Sequence, residues 1–158
     1  MTREKKQEFT LRITQANKTG LVVILYDMTL TFLEDAVMEF DKGNIMEYKK
    51  NIDGAKKCLD ELLASLHSGY DISEALQGLY YFYKRELTSA AVQQKKEFLL
   101  PVIEMIKELK ESYEKVASQD SSLPLMKNTQ TVYAGLTYGK RSLNVNLADQ
   151  GINRGFRV

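Results

Sequence analysis

The side chains that could do chemistry in this sequence are few and stand far apart. His67 is the only histidine and Cys58 the only cysteine among the 158 residues. A zinc site needs three or four such donors, and the Glu-x-x-His pattern of di-iron helical bundles is absent. We expect His67 to lie at the end of a helix and Cys58 to be a small core or boundary residue. The sequence therefore predicts no cofactor and no metal site.

One glycine-bearing segment resembles a phosphate-binding loop only in part. Residues 135–141, GLTYGKR, are one residue too short for that loop and lack Ser or Thr after the lysine. Asp and Glu are plentiful but fall on the polar faces of predicted helices, where they are usually solvated. These patterns predict a protein that is not an enzyme.

Charge and hydropathy exclude two further classes of function. The net charge is +1, with basic and acidic residues mixed, so the one-sided basic surface of a nucleic-acid-binding protein is missing. The longest wholly apolar run, residues 21–26, is far shorter than the ~20 residues that cross a bilayer. The N-terminal MTREKKQEFTLRI has no apolar core of signal-peptide length. We expect neither membrane insertion nor secretion, and a cytoplasmic location.

The stretch from Leu21 to Phe40 must organise the fold, because its apolar side chains cover roughly 220° of a helical wheel at about 100° per residue. An ordinary surface helix needs only about 100°. The residues left to face water are Asp27, Thr31, Glu34, Asp35 and Met38. A helix this apolar needs more than one covering neighbour and is predicted to lie at the centre of a bundle. Asn17 is its expected N-cap, and Gly43 is available for a left-handed C-cap.

Three more helices follow, each with a seam of apolar residues at steps of three and four, and these steps alternate strictly in the second and fourth helices. These seams start at Ile45, Ile72 and Leu99. Short links between long helices force an up-and-down course. We therefore predict an all-α fold: an antiparallel four-helix bundle over residues 1–118, with residues 1–16 as a mostly polar N-terminal extension.

Residues 119–158 differ in character from the bundle and are predicted to be a C-terminal tail, not an independent domain. Their apolar residues fit either alternating extended chain or one helix face, so the structure of the tail stays open. About fifteen apolar residues are too many for a purely solvated tail. We hypothesise that part of it lies against the bundle and competes with a binding partner, since tethering gives an effective concentration of about millimolar.

The aromatic run at residues 80–83 has two interpretations. Four consecutive aromatic residues point to all sides of a helix at about 100° intervals. Two of them can be core residues while two lie half-covered on the flank. Alternatively, the outer ones belong to a groove that receives another chain. The excess apolar width of the central helix favours a partner-covered face.

Two segments resemble the FliS-type family of flagellar export chaperones. The first is ITQANKTGLVVILYDMTLTFLEDAV, with the Leu-Tyr-Asp step at residues 25–27 and Phe-Leu at 32–33. The second is YDISEALQGLYYFYKREL, with its Tyr-x-Ile-Ser turn, a Leu-Tyr pair at 79–80 and an Arg-Glu-Leu ending. The resemblance covers residues 13–118 in matching order and spacing. It implies an antiparallel helical bundle that binds the disordered C-terminal segment of flagellin in hydrophobic grooves, prevents premature polymerisation and aids delivery to the export gate.

The sequence departs from the family pattern in three places. Met28 stands where the family often has glycine, which would reshape a groove. The family's N-terminal segment is commonly tyrosine-rich and folds over the client site, and here Phe9, Leu11 and Ile13 would have to substitute. Typical members also end soon after the last helix, so the resemblance says nothing of residues 119–158.

On this basis we predict a partner-binding groove between the central helix and the third bundle helix, and we expect a monomer or a weak homodimer. The alternative is a generic helical-bundle interaction or dimerisation module, such as a signalling adaptor. The predicted groove residues are Ile24, Leu25, Met28 and Phe32 on the central helix, and Leu79, Tyr80 and Tyr83 on the third. We expect Tyr80 and Tyr83 to lean towards the surface.

Overall fold

The structure is a computed structural model that describes residues 1–67 and 71–126 of the chain, and these residues form a helical bundle. The helices are α1 (Arg3–Gln15), α2 (Lys18–Asp41), α3 (Ile45–Ser65), α4 (Asp71–Gln93) and α5 (Leu99–Gln119), with one 3₁₀ turn (Lys96–Phe98) before α5. Helices α2 to α5 run up and down as the predicted four-helix bundle. The all-α prediction is confirmed, and α1 adds a fifth helix.

The ends of α2 are set by the two residues that the sequence singled out. The Asn17 side-chain Oδ1 accepts a hydrogen bond from the Gly20 N–H at 2.8 Å and so caps the first turn. At the other end Gly43 has a φ of 75°, and the Asn44 N–H donates to the Glu39 carbonyl at 2.9 Å. This is a Schellman closure, which needs the left-handed conformation that glycine adopts without strain.

The main core of the bundle lies along the predicted seams of α3, α4 and α5, packed against α2. Fully buried members include Tyr26, Leu33, Ile52, Leu59, Leu62, Leu87, Leu99, Val102 and Ile106. The seams fail at one end of the bundle, where Ile72 at the start of α4 is 68% exposed and Val116 near the end of α5 is 56% exposed. Since α4 and α5 are antiparallel, both residues belong to the same open end.

Helix α1 was not predicted, because its residues are mostly polar and Phe9 is its only large apolar residue that is buried. It turns back at Ala16 and lies antiparallel along α2. Its direction follows from two ion pairs: Arg12 contacts Asp27 at 2.5 Å, and the Met1 amino group contacts Asp35 at 2.5 Å.

The presence of α1 corrects the expectation that Asp27, Thr31 and Asp35 of α2 face water, whereas Glu34 and Met38 are exposed as predicted. Asp27, Thr31 and Asp35 are spaced four residues apart, so they lie on one side of the helix. Asp27 pairs with Arg12 of α1, Asp35 pairs with the Met1 amino group just before α1, and Thr31 between them is buried. These three residues are therefore covered by the N-terminal segment of the same chain.

Some predictions concern residues outside the described ranges: the segment 135–141 and the hypothesis for the tail beyond residue 126. Among the helices that the structure describes, none is long and apolar enough to cross a membrane.

Candidate partner-binding site

The outer side of α2, meaning the side that α1 covers, carries two of the seven predicted groove residues. Ile24 is buried against Phe9 and Ala16, and Met28 packs half-buried against the same cluster. The excess apolar width of α2 is thus real, and in this structure α1 covers it. Phe9, Ile13 and Ala16 follow one another at steps of four and three, a spacing that could have revealed the covering face of α1.

The cover that α1 provides is thin. Its apolar contact with α2 contains three buried residues, Phe9, Ala16 and Ile24. The main core of the bundle contains nineteen buried residues. Because hydrophobic stabilisation is roughly proportional to the apolar area removed from water, α1 is held far more weakly than the bundle helices hold one another.

Asp27, the acidic residue of the Leu-Tyr-Asp step, ties α1 and α5 to α2. One of its oxygens contacts Arg12 of α1 at 2.5 Å and the other contacts Lys110 of α5 at 2.8 Å. Lys110 also contacts Glu114 at 3.3 Å. The hydrogen bond to Asp27 is the main cause that raises the pKa of Lys110. The rim of the outer side is therefore an ion-pair network that joins three helices.

Leu25 and Phe32 belong to the bundle and not to the outer side of α2. Leu25 is a member of the main core, and Phe32 packs half-buried against it. The Phe32 ring lies over Gly54 of α3, where an added Cβ would be 2.6 Å from the nearest ring atom. Because Gly54 has no side chain, the Phe32 ring can pack directly against the backbone of α3. Helix α3 therefore already occupies the space beside Phe32.

Tyr80 and Tyr83 lie inside the bundle, and the expectation that they lean outward is wrong. Each is 1% exposed. The Tyr80 hydroxyl hydrogen-bonds the Tyr26 hydroxyl, and the Tyr113 ring packs edge-on against Tyr26 at 5.6 Å between centroids. Burial raises the pKa of both Tyr80 and Tyr83 to about 12. The aromatic residue of this run that faces water is Tyr81, at 57% exposure.

The two family-like segments meet at this tyrosine pair. Tyr26 comes from the Leu-Tyr-Asp step and Tyr80 from the Leu-Tyr pair of α4, and their hydroxyls bond to each other in the core. A buried hydroxyl without a partner costs ~1–3 kcal/mol, so the pair fixes how α2 and α4 pack together. These two aromatic positions hold the fold.

Leu79, the remaining predicted residue, is half-buried against the main core, and helical spacing places it on the flank of α4 away from α3. Lys84 marks the opposite flank, because it pairs with Asp60 of α3. At about 100° per residue, Leu79 lies roughly 140° around α4 from Lys84. We call the apolar residues that share this location the α4–α5 strip: Ile72, Leu79 and Phe82 from α4 with Met105, Leu109 and Val116 from α5.

The structure therefore separates the seven predicted residues into three places. Ile24 and Met28 lie under α1, Leu79 lies in the α4–α5 strip, and the other four are part of the bundle interior or its α3 contact. Sequence reasoning missed the strip because Ile72 and Val116 continue their core seams in register. Their exposure follows from their position at the open end of the bundle, which the apolar pattern does not indicate.

The described residues offer little for catalysis. No group of three or more His, Cys, Asp or Glu among them could hold a metal ion. Cys58 is buried, and burial raises the pKa of its thiol to about 11. A thiol in that state is a poor nucleophile at neutral pH, because the thiolate is the reactive form.

The profile of the family described as flagellar protein FliS matches residues 1–120, which contain all five helices. No curated protein matches the chain. The match covers the outer side of α2, the tyrosine pair and the α4–α5 strip together. This chain belongs to the FliS family of flagellar proteins.

Proposed function

We propose that this protein is a flagellar export chaperone that binds the disordered C-terminal segment of flagellin. In this proposal it acts in the cytoplasm as a monomer or weak homodimer, keeps flagellin from polymerising early, and brings it to the export gate. Membership of the FliS family supports the export-chaperone class. The flagellin segment, the gate and the location are part of the proposal.

The observation that carries the proposal is the apolar outer side of α2 beneath a thin cover. Ile24 and Met28 would form an exposed apolar patch if α1 were absent, and such patches usually mark interaction sites. An amphipathic client helix can take the place of α1 with the same kind of contacts. The free protein keeps the patch covered, and the client replaces the cover.

The α4–α5 strip supplies a second apolar surface for a long client. Ile72 and Val116 at the open end are more than half exposed, while Leu79 and Phe82 further along α4 are half-buried. Ordering a disordered segment costs ~2–5 kcal/mol of the gross interaction energy. A client that contacts both surfaces recovers that cost over a larger area than either surface offers alone.

Titration calorimetry of a flagellin C-terminal peptide tests the proposal, with Phe9→Ala as the informative variant. Phe9 belongs to the cover and not to the outer side itself, so its truncation should free the site. The apparent affinity is proportional to the fraction of molecules in which the site is open. We expect the variant to bind the peptide about tenfold more tightly. Leu11→Ala is the matched control, because Leu11 lies on the same helix but is exposed.

The strip is tested by Leu79→Ala, which should weaken binding several-fold. The control is Leu100→Ala, at an exposed leucine of α5.

No heat and no complex on gel filtration at tens of micromolar would reject flagellin as the client. If neither Phe9→Ala nor Leu11→Ala changes the affinity for the peptide, the outer side of α2 is not the site.

A further inference from the structure

The chain does not leave the bundle at the end of α5. Residues 120–126, which we call the strap, cross back over the turn between α1 and α2. The Thr19 hydroxyl donates to the Asp120 carboxylate at 2.5 Å. The Asn17 side-chain amide donates to the carbonyls of Asp120 and Ser122 at 3.2 and 3.3 Å. The Leu125 N–H donates to the Ala16 carbonyl at 3.0 Å.

These bonds end at three residues: Ala16 and Asn17, which form the hinge between α1 and α2, and Thr19 in the first turn of α2. Ala16 is the C-cap of α1, and the last carbonyls of a helix lack partners within it. Asn17 has two tasks: its Oδ1 caps α2 through the Gly20 N–H, and its amide holds the strap. For α1 to leave the outer side of α2, the chain must turn about this hinge.

The strap is held by polar contacts and contributes little apolar burial. Its large apolar residues Leu123, Leu125 and Met126 are all exposed. Beneath it lies a hollow of about 540 Å³. The hollow is lined in part by Ala16, Val23, Ile24, Ala117 and Pro124. Each hydrogen bond shifts an opening equilibrium by about two- to tenfold, so the strap is strong enough to bias the hinge and weak enough to release it.

We propose that the strap is a clasp that keeps α1 closed over α2 and thereby sets how often the outer side of α2 opens. It begins where the match to the FliS family ends, at residue 120, and the chain continues from there to Val158. This control is separate from competition by the tail for the groove, because the strap bonds the hinge and does not occupy the outer side of α2. The effect on α1 stands by itself, and the effect on client affinity rests on the proposed function.

Hydrogen exchange of the full chain tests the clasp with the double variant Asn17→Ser/Thr19→Val. Serine keeps an oxygen that can cap α2 but loses the amide that holds the strap, and valine loses the hydroxyl that bonds Asp120. We expect amides of α1 to exchange about tenfold faster, with amides of α3 and the second half of α2 unchanged. Asp120→Ala, which changes the strap side of the same contact, should reproduce the acceleration.

The matched control is Asn44→Ser/Thr88→Val, which makes the same two changes away from the strap. Asn44 caps α3 and also donates its amide to Glu39, while the Thr88 hydroxyl bonds within α4. The proposal would be overturned if the amides of α1 exchanged at the same rate in both double variants. An equal acceleration of α1 and bundle amides would also overturn it, since that would show a contribution to overall stability alone. Faster α1 exchange without any flagellin binding would uphold the clasp and reject the proposed client.

Discussion

Both sides of α2 carry buried apolar residues, yet these residues are buried in different ways. On the inner side Tyr26 and Leu33 have no exposed surface and lie in a core shared with α3, α4 and α5. On the outer side Ile24 is nearly as buried, but the single thin helix α1 covers it. The fractional exposure of a residue therefore does not distinguish a permanent contact from a removable one. What distinguishes them is the number of elements that must move to expose the residue.

This difference allows one helix to hold the fold and carry a reversible site. Proteins open locally at free energies well below that of global unfolding where few apolar contacts are involved. Removing α1 exposes one small cluster, whereas exposing Tyr26 requires the bundle itself to come apart. The comparison predicts that changes on the inner side lower global stability and that changes on the outer side alter α1 alone.

The largest effect is expected from Tyr80→Ala on the inner side. Truncating a buried aromatic residue to alanine costs ~3–5 kcal/mol, and here it also leaves the Tyr26 hydroxyl without its partner. The free energy of unfolding from urea titration should fall by about that amount. Tyr81→Ala is the control at the neighbouring exposed tyrosine, with an expected change within about 0.5 kcal/mol. Similar losses in the two variants would contradict the assignment of inner and outer aromatics.

Alkaline pH should weaken the inner side specifically. Burial raises the pKa of Tyr83 from an ordinary value of 10.0 to about 12, so the folded state favours the protonated hydroxyl. That contribution is fully present below pH 10 and is lost as the pH rises from 10 to 12. At 1.36 kcal/mol per pKa unit, its size is on the order of 3 kcal/mol. The free energy of unfolding, measured from pH 8 to 12, should fall less steeply with pH for Tyr83→Phe than for the wild type. Parallel curves for the two proteins would show that Tyr83 is not the cause.

Gly54→Ala tests the contact between α2 and α3 beside the inner side. An added Cβ would be 2.6 to 2.8 Å from three Phe32 ring atoms, so the ring must shift. Overpacking of this kind costs ~1–3 kcal/mol, although alanine alone would favour the helix. Phe32→Leu should relieve much of the loss in the double variant. If a double-mutant cycle showed no coupling between the two positions, the Phe32 ring would not be packed tightly against residue 54.

The sequence was sufficient for the bundle but not for the arrangement of the site. Apolar seams at steps of three and four predicted α3, α4 and α5, and Asn17 and Gly43 predicted the ends of α2, because these signals are local. Whether Tyr80 or Tyr81 faces inward depends on the rotation of α4 about its axis, which four consecutive aromatic residues leave ambiguous. Helix α1 was missed because Phe9 is its one large apolar residue that is buried, and the pattern of Phe9, Ile13 and Ala16 is too short to be a strong periodic signal.

Phe9→Ala should separate the two sides of α2 most clearly. Because Phe9 contacts the outer side alone, its loss should raise hydrogen exchange of α1 amides about tenfold while bundle amides keep their protection. The unfolding midpoint of the bundle should change by less than that of Tyr80→Ala. A common loss of protection in α1 and the bundle would mean that the five helices unfold as one unit, and the distinction between permanent and removable burial would fail.

The smallest effect is expected from Arg12→Gln at the rim of the outer side. Arg12 pairs with Asp27 across α1 and α2, which helps to hold α1 in place, and it also lies 5.4 Å over the Phe9 ring of its own helix. Partly exposed ion pairs contribute ~0–1 kcal/mol and weaken with salt. The matched control is Arg85→Gln, because Arg85 also contacts an acidic residue and lies 5.4 Å over a phenylalanine ring, but both partners are on its own helix α4.

The two arginine variants should therefore differ in where exchange changes and in how salt affects it. Arg12→Gln should speed the exchange of α1 amides about two- to fivefold at low ionic strength, with the difference from the wild type shrinking towards 1 M salt. Arg85→Gln should leave α1 unaffected at any salt concentration, since its contacts do not join two helices. If both variants leave α1 equally protected at low salt, Asp27 does not fasten α1, and the apolar contact of Phe9 together with the strap holds the outer side closed.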